Sequence, residues 1–540
     1  MTFTEKEIEI LSRYISNPTE SVFVVNLLGH ITGALFARYS RAETGLRETL
    51  LREFLDEEGN LKVKHADELI ERILISFGDD SVGEQENVHL SLEQISNLAT
   101  KKIEDKRIGG SPIEQSTRYV FYDQKNDRGL FKYLREKNIM GSRFAEEYIS
   151  AMDFIFQTYV DIIEPMQEHF RKLKPIQLAE YAVKLGDTKK YKLSELNDER
   201  DIKSFKMTYK VDIRTKACDT IRILLPAATL TNLGINGNGQ FYKHLLTALY
   251  SDPLPEMNNL AVRAHRELDK AIPKYVKRAK YSEYLAETES KMQLLTRNLL
   301  KNVEPEKEEN VVLLLSHPED YRDNLTAQML YQYSQHPLRQ LRRFVKELNG
   351  EKKLEIIFTY NGDRKNRRDR PGRALEACYP FTFDLIGDFG IYRDLHRERM
   401  KTQQRQNLTT RLGRVISSEI EEIGWLERVQ RCFELSESLY EKLLPEYTQE
   451  AQYVVLNGHK VRWDQGENLR EAMHELELRT IPQGHFSYRR IAREMHRKIK
   501  EFDSVIADMM KFVDYSDYPW ARADSEAKQR REERKLDLRY

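Results

Sequence analysis

The chain has 540 residues, 40% hydrophobic and 10% aromatic, which is apolar enough to fill packed interiors and too long for one ordinary core. Lys plus Arg and Asp plus Glu both number 87, and a formal charge of zero argues against an obligatory nucleic-acid binder. Three cysteines, Cys218, Cys378 and Cys432, form no CxxC pair, and the thirteen histidines show no metal-ligand spacing, so neither a disulfide framework nor a metal site is expected.

The opening residues MTFTEKEIEI lack the apolar stretch of a signal peptide. No window approaches the ~18 consecutive apolar residues of a membrane span. The expectation is a cytoplasmic protein without membrane contact. Along the chain the pattern is mainly helical. Apolar residues three and four apart predict amphipathic helices within 66–75, 143–156 and 487–512. Short apolar or β-branched runs predict strands at 207–213, 222–225, 354–360 and 453–456. The polar run 302–310 reads as a linker, and the charge-dense 525–539 as a solvated tail or frayed helix, with an RNA or partner contact as the alternative. Cys378, alone in an apolar stretch, reads as core.

The two halves echo each other at low identity. A turn at 78–85, an apolar helix at 90–102 and a basic pair, Lys106-Arg107, parallel 373–377, 381–395 and Arg397-Glu398-Arg399. Later, 221–226 leads to Asn238-Gly239-Gln240, as 453–456 leads to Asn468-Leu469-Arg470. An extra segment around 123–184 is peculiar to the first half. This is the pattern of a diverged tandem duplication, with modules over 1–300 and 301–540.

The densest chemistry lies in 107–119, where Ser111, Glu114, Ser116, Thr117 and Arg118 crowd around two glycines and a proline. Hydroxyl donors, freed backbone amides and a forked guanidinium are the groups that hold a phosphate, and Glu114 suits a ribose or base donor. A polar surface turn is the alternative. In the second half Arg470 and His474 stand four apart on one predicted helix, with Asn468 and Arg479 eleven apart on roughly the same side. A solvated, arginine-rich helix is the alternative there.

Ser111 with Ser116-Thr117-Arg118 resembles the second half of the signature of flavin-dependent thymidylate synthases, R-H-R-x-x-S, four residues, then S-x-R. The 78–85 turn and the run from Arg222 to Pro226 are similar to further blocks of that family. Arg397-Glu398-Arg399, Asn468-x-Arg470 and Arg479 resemble its flavin-facing and pyrimidine-facing positions in the second copy. The departures are Gln85 and Glu398 for histidine, Gln240 for arginine, and Leu249 where Arg479 stands in copy two.

The resemblance implies an α+β fold of two homologous modules, each a short, mainly antiparallel sheet packed with long helices. It implies reductive methylation of dUMP to dTMP with FAD, NADPH and methylene-tetrahydrofolate, and no covalent side-chain nucleophile. By the same resemblance Ser111, Glu114, Ser116, Thr117, Arg118, Arg222 and Arg479 would bind substrate. Gln85, Lys106, Arg107, Asn238, Arg397, Arg399, Asn468, Arg470 and His474 would bind the cofactor. The family is homotetrameric, so a tandem chain would form a homodimer acting as a pseudo-tetramer. The alternatives are a flavin enzyme for another pyrimidine nucleotide, or a non-catalytic nucleotide-binding or interaction protein on this fold.

Overall fold

Nine strands form three antiparallel sheets among the described residues. A computed structural model of the chain describes residues 3–19, 25, 31–39, 45–62, 64, 66, 84–306, 308, 310–317, 320–377, 381–520 and 522–537. Most of the helix expected at 66–75, the turn at 78–83 and Cys378 lie outside them. The strands are β1 (Asn87–Ser96), β2 (Gly110–Glu114), β3 (Glu180–Tyr181), β4 (Tyr191–Lys192), β5 (Leu230–Asn238), β6 (Val312–Ser316), β7 (Phe381–Asp388), β8 (Thr402–Arg405) and β9 (Lys460–Glu467).

The chain forms two compact units. One contains Met1–Gln115, Tyr133–Ala145 and Ala228–Pro305; the other contains Ser116–Lys132, Glu146–Ala227 and Glu306–Tyr540. The first unit carries an antiparallel sheet of order β1-β5-β2. Burial alternates along β5, with Thr231, Leu233, Ile235 and Gly237 inward, as a one-sided pleated strand requires. Ser96 then caps the helix Asn97–Glu104, and Asn238 caps Gly239–Ser251 by accepting the Phe241 amide at 2.8 Å.

The second unit repeats this plan. Its sheet runs β6-β7-β9-β8, so β7-β9-β8 has the order of β1-β5-β2, with β6 added at the edge. Asp388 caps Phe389–Leu395 and Asn468 caps Leu469–Arg479, the places held by Ser96 and Asn238. Ser111 pairs with Asn236 and Thr402 with Gly466, each two residues before a capping asparagine, so Ser111 and Thr402 are equivalent. The α+β fold and the duplication are as expected.

What fills the two repeats differs. In the first, Phe241 lies so close to Gly110 and Gly237 that an added Cβ would come within 2.5 and 2.4 Å of its ring. In the second, Glu471 takes the position of Phe241, and a buried polar group forms beside it. Lys401 donates to Glu475 at 2.8 Å, to Gln465 at 3.1 Å and to the Leu395 carbonyl at 3.0 Å.

Equivalent segments of the two copies also meet within the second unit. Pro226 and Leu456 form an antiparallel bridge; the Ala227 amide donates to Val455 at 2.8 Å and the Asn457 amide to Leu225 at 2.9 Å. These are reciprocal bonds between equivalent positions, so a local twofold axis passes through the bridge. The long helix Ala145–Leu173 runs antiparallel to Leu426–Leu443, tied by Arg428 to Asp161 and by Lys442 to Glu147, both at 2.6 Å.

Two helix expectations are corrected, since 90–96 of the run 90–102 lies in β1 and 381–388 of the run 381–395 lies in β7, and so are four strand expectations. Residues 207–213 lie in the helix Glu199–Ile221 and 354–360 in the helix Gly350–Asn361. The run 222–225 is mostly the 3-10 turn Arg222–Leu224, and 453–456 is the end of the 3-10 turn Glu450–Val454 followed by the bridge residue Leu456. The tail is corrected as well. Arg522–Asp537 is a docked helix whose Ala523 and Ala527 are buried against Tyr181, Val183 and Phe205. Arg534 reaches Asp201 at 2.7 Å and the Val183 carbonyl at 3.1 Å. Its charges are solvated on one face only.

Candidate functional site

The turn after β2 brings Ser116 to accept the Arg118 amide at 3.2 Å, which fixes the backbone before the guanidinium. Arg118 then spans two partners. Its Nε and Nη2 donate to the Asp219 carboxylate at 2.9 and 3.3 Å, and Nη1 donates to the Tyr488 hydroxyl at 3.3 Å. One turn along the chain from Asp219, buried Arg222 donates to Asp394 at 3.0 Å. Its carbonyl accepts from the Asn457 side chain at 3.2 Å, beside the bridge.

The second repeat supplies the facing residues. Arg479, at the end of its helix, pairs with Glu398 and lies 5.7 Å from the Tyr488 ring centroid, and Arg118 lies 5.4 Å from the same ring. Arg522, from the C-terminal helix, reaches Asp219 at 3.2 Å, and its Nη1 is buried without a hydrogen-bond partner among the described residues. Arg118, Arg222, Arg479 and Arg522 thus converge on Asp219, Asp394 and Glu398.

The electrostatics follow from burial and this pairing. Burial drives the Asp394 carboxyl up, but Arg222 and Arg118, with His485 and Arg397, hold it well below the usual carboxylate range. Burial prevails at Asp219, raised despite Arg118 and Arg222. Asp388 is pushed up to about 6 by burial, which Arg222 only partly offsets. His485 is held far below the imidazole range by burial and by both arginines, so it is neutral. The Ser487 amide donates to its Nδ1 at 3.2 Å, which puts the ring proton on Nε2, toward the Asp219 carbonyl at 3.5 Å. Asp219, His485 and Arg522 also wall a cleft of about 510 Å³ that contains Lys216, Arg490 and Trp520.

The remaining expected residues divide among other places. Glu114 is buried against Lys101 at 3.0 Å and Thr100 at 3.1 Å, an internal ion pair. Ser111 is exposed on β2, Thr117 is buried, and Gln85 is exposed ahead of β1. Lys106, Arg107 and Asn238 share a cleft of about 760 Å³ in the first unit. In the second unit Arg470 pairs with Glu376, and His474 is lowered by burial, an effect that Glu398 opposes. Arg397 and Arg399 are exposed in the turn after Phe389–Leu395. Asp219, Asp394, Asp388, His485, Tyr488 and Arg522 were not anticipated. Only the three-residue step from Asp219 to Arg222 is a sequence signal.

The profile of the family described as "Thymidylate synthase complementing protein" matches residues 31–274 and again 314–503. The chain belongs to this family. Both matches fall on the repeated sheet-and-helix plan, and both stop short of the C-terminal helix. A UPF0159 protein of Chlamydia muridarum is 36% identical over 548 residues, covering 98% of each chain. A UPF0159 protein of Thermoplasma acidophilum is 31% identical over 500 residues, covering 92% of this chain and 98% of that one. As in other thymidylate synthase complementing proteins, nucleotide and folate substrates are implied. No helix of the described residues is long and apolar enough to cross a membrane.

Proposed function

We propose that this protein is an FAD-dependent thymidylate synthase that methylates dUMP with methylene-tetrahydrofolate and NADPH, at a site built from both repeats. The observation that carries the reading is the meeting of Arg118 and Arg222 from the first copy with Arg479 and Tyr488 from the second. Each copy retains what the other lacks. Arg118, held by Ser116 and Asp219, would bind the nucleotide phosphate. Arg479 would face the uracil, whose carbonyl gains negative charge. Asp219 and Asp394 orient guanidiniums that would otherwise repel, and neutral His485 adds a hydrogen-bond donor without adding charge.

The residues present fit the flavin. A cleft of about 760 Å³ lies in the ligand-sized range of roughly 300–1,000 Å³, and its Lys106 and Arg107 suit a diphosphate. Held there, or beside Arg397, Arg399, Asn468, Arg470 and His474 in the second copy, FAD reduced by NADPH would supply hydride. The protein's part is to bind, orient and exclude water. Two chains would together present the four modules of the family's tetramer.

Complementation of a thymidine-requiring cell tests the whole reaction, with flavin absorbance of the purified protein as its companion. Growth with wild type and none with Arg118→Ala is the expected result. Flavin without growth would move the substrate to another pyrimidine nucleotide. A colourless protein that FAD cannot reconstitute would leave a nucleotide-binding module.

A further inference from the structure

The C-terminal segment, beyond the second family match that ends at 503, folds back against the helix Phe486–Phe502. Two arginines of that helix hold it. Arg489 donates to the Ser516 carbonyl at 2.9 Å, and Arg493 donates to the Asp514 carbonyl at 3.0 Å and the Asp517 carboxylate at 2.8 Å. Pinned in this way, the segment brings Tyr518, Trp520 and Arg522 into one wall with Lys216, Phe486 and Arg490, around the cleft of about 510 Å³. That volume lies within the roughly 300–1,000 Å³ of small-molecule sites. Part of the wall therefore comes from residues beyond the family's repeats.

This wall holds more positive charge than its acids neutralise. Lys216, Arg489, Arg490, Arg493 and Arg522 stand against Asp212, Asp219 and Asp517. Two of those acids are also engaged by cations from outside the wall, Asp212 by Lys174 at 2.6 Å and Asp219 by Arg118 at 2.9 Å. Arg489 donates to the Thr480 and Ser516 carbonyls and has Asp514 only at 4.0 Å. Lys216 has Glu419 at 3.8 Å, and Arg490 is exposed with no ion pair among the described residues. Such a surplus draws an anion. The rest of the wall is flat and apolar. Phe486, 56% exposed, stacks on the His485 ring at 4.6 Å, and Lys216 Nζ lies 5.8 Å from its centroid. Trp520 and Tyr518 extend that face. Rings beside guanidiniums suit a ligand with a ring and an acidic group together.

We propose that this cleft is a ligand site in its own right, for a small molecule carrying a carboxylate or phosphate beside a planar ring. The ring lies against Trp520 and Phe486, and the acid meets Arg490 and Lys216. The site is distinct from the group around Arg118 and Arg479, and the two share Asp219, whose carboxylate takes Arg118 at 2.9 Å and Arg522 at 3.2 Å. Two molecules of the reaction proposed above have this chemistry, the benzoyl-glutamate end of the folate and the nucleotide. The site itself rests on the wall and not on that reaction.

Fluorescence titration of the full chain tests it. Of the three tryptophans, Trp520 stands in the cleft, Trp463 is buried in β9 and Trp425 precedes the helix Leu426–Leu443. p-Aminobenzoyl-triglutamate or dTMP should quench the emission, and Trp520→Phe should abolish that quenching. Arg490→Glu should weaken binding about a hundredfold, and Arg490→Lys should recover part of it. Arg490 is exposed, so circular dichroism should be unchanged. Tighter binding of the triglutamate than of p-aminobenzoyl-monoglutamate, lost in Arg490→Glu, assigns the carboxylate source. Quenching by dTMP and not by thymidine, kept in Arg118→Ala, assigns the phosphate source. No quenching by either compound at millimolar concentration would overturn the site. Quenching that survives Trp520→Phe or Arg490→Glu would place the ligand elsewhere and overturn it too. Growth of thymidine-requiring cells without quenching sinks this site and spares the synthase reading; quenching without growth does the reverse.

Discussion

Arg118 gives two of its donors to Asp219 and one to Tyr488, so its fork is aimed before any ligand arrives. Arg118→Ala should lower dUMP affinity about tenfold or more, the size of a lost charged hydrogen bond, with Asp219 still held by Arg522. Arg118→Lys should recover only part, since an ammonium keeps the charge and loses the fork. Arg411→Ala should leave affinity unchanged, because that guanidinium is engaged at the surface by Glu441 at 2.7 and 2.6 Å. Calorimetric titration of the three variants with dUMP checks the set. Glu471 offers a separate test through pH. Burial, with Glu475 and Glu398 near it, raises its carboxyl to about 7 from an ordinary 4.5. A raised carboxyl favours the folded state below about 4.5, and that contribution is lost as pH rises through about 7. Relative to Glu471→Gln, wild type should lose on the order of 3 kcal/mol between pH 4.5 and 8, read from urea unfolding at each pH. Arg118, Arg222 and Arg479 were legible from family spacing. Their carboxylates were not, because Asp219 lies 101 residues from Arg118 and Asp394 lies 172 from Arg222, and only the fold brings them together.

At the scale of elements, the amphipathic helices within 143–156 and 487–512 match the fold, whereas the short strands do not, and the apolar runs 90–102 and 381–395 open as strands before turning helical. The run 354–360 is rich in strand formers, yet Asn349 caps the helix at its start by accepting the Lys352 amide, and Gly362 ends it at φ +66°. Local end signals and tertiary packing outweigh a propensity difference of at most ~0.7 kcal/mol per residue. The strands that do form, β5 and β9, contain glycine, asparagine and charge at alternate positions, which hid them from a search for β-branched runs. The C-terminal helix was misread because its charges dominate the sequence while two alanines do the docking. Ala527 is wholly buried, so Ala527→Glu should destabilise the chain by roughly 2 kcal/mol or more, visible as a lower urea midpoint. Because this helix also carries Arg522 to Asp219, the same variant should weaken nucleotide binding.

For the whole molecule, the repeats of the sequence and the compact units of the fold do not coincide. Residues 116–132 and 146–227 of the first repeat pack with 306–540 of the second. A chain divided between 305 and 306 should therefore give a second fragment that cannot complete its unit. Expressed alone, 306–540 should be insoluble or lack a cooperative thermal transition; co-expressed with 1–305, it should co-purify and regain one. The bridge of Pro226 with Leu456 has a consequence for stoichiometry. Four residues before these paired positions stand Arg222 and Gln452, so the local twofold axis maps an arginine that grips Asp394 onto a glutamine that donates to Gln449 and accepts the Leu408 amide. A symmetric pair of modules would offer two equal nucleotide sites. Here the covalent fusion fixes which module stands on which side, so one of the two is free to lapse, and saturation should come at one dUMP per chain.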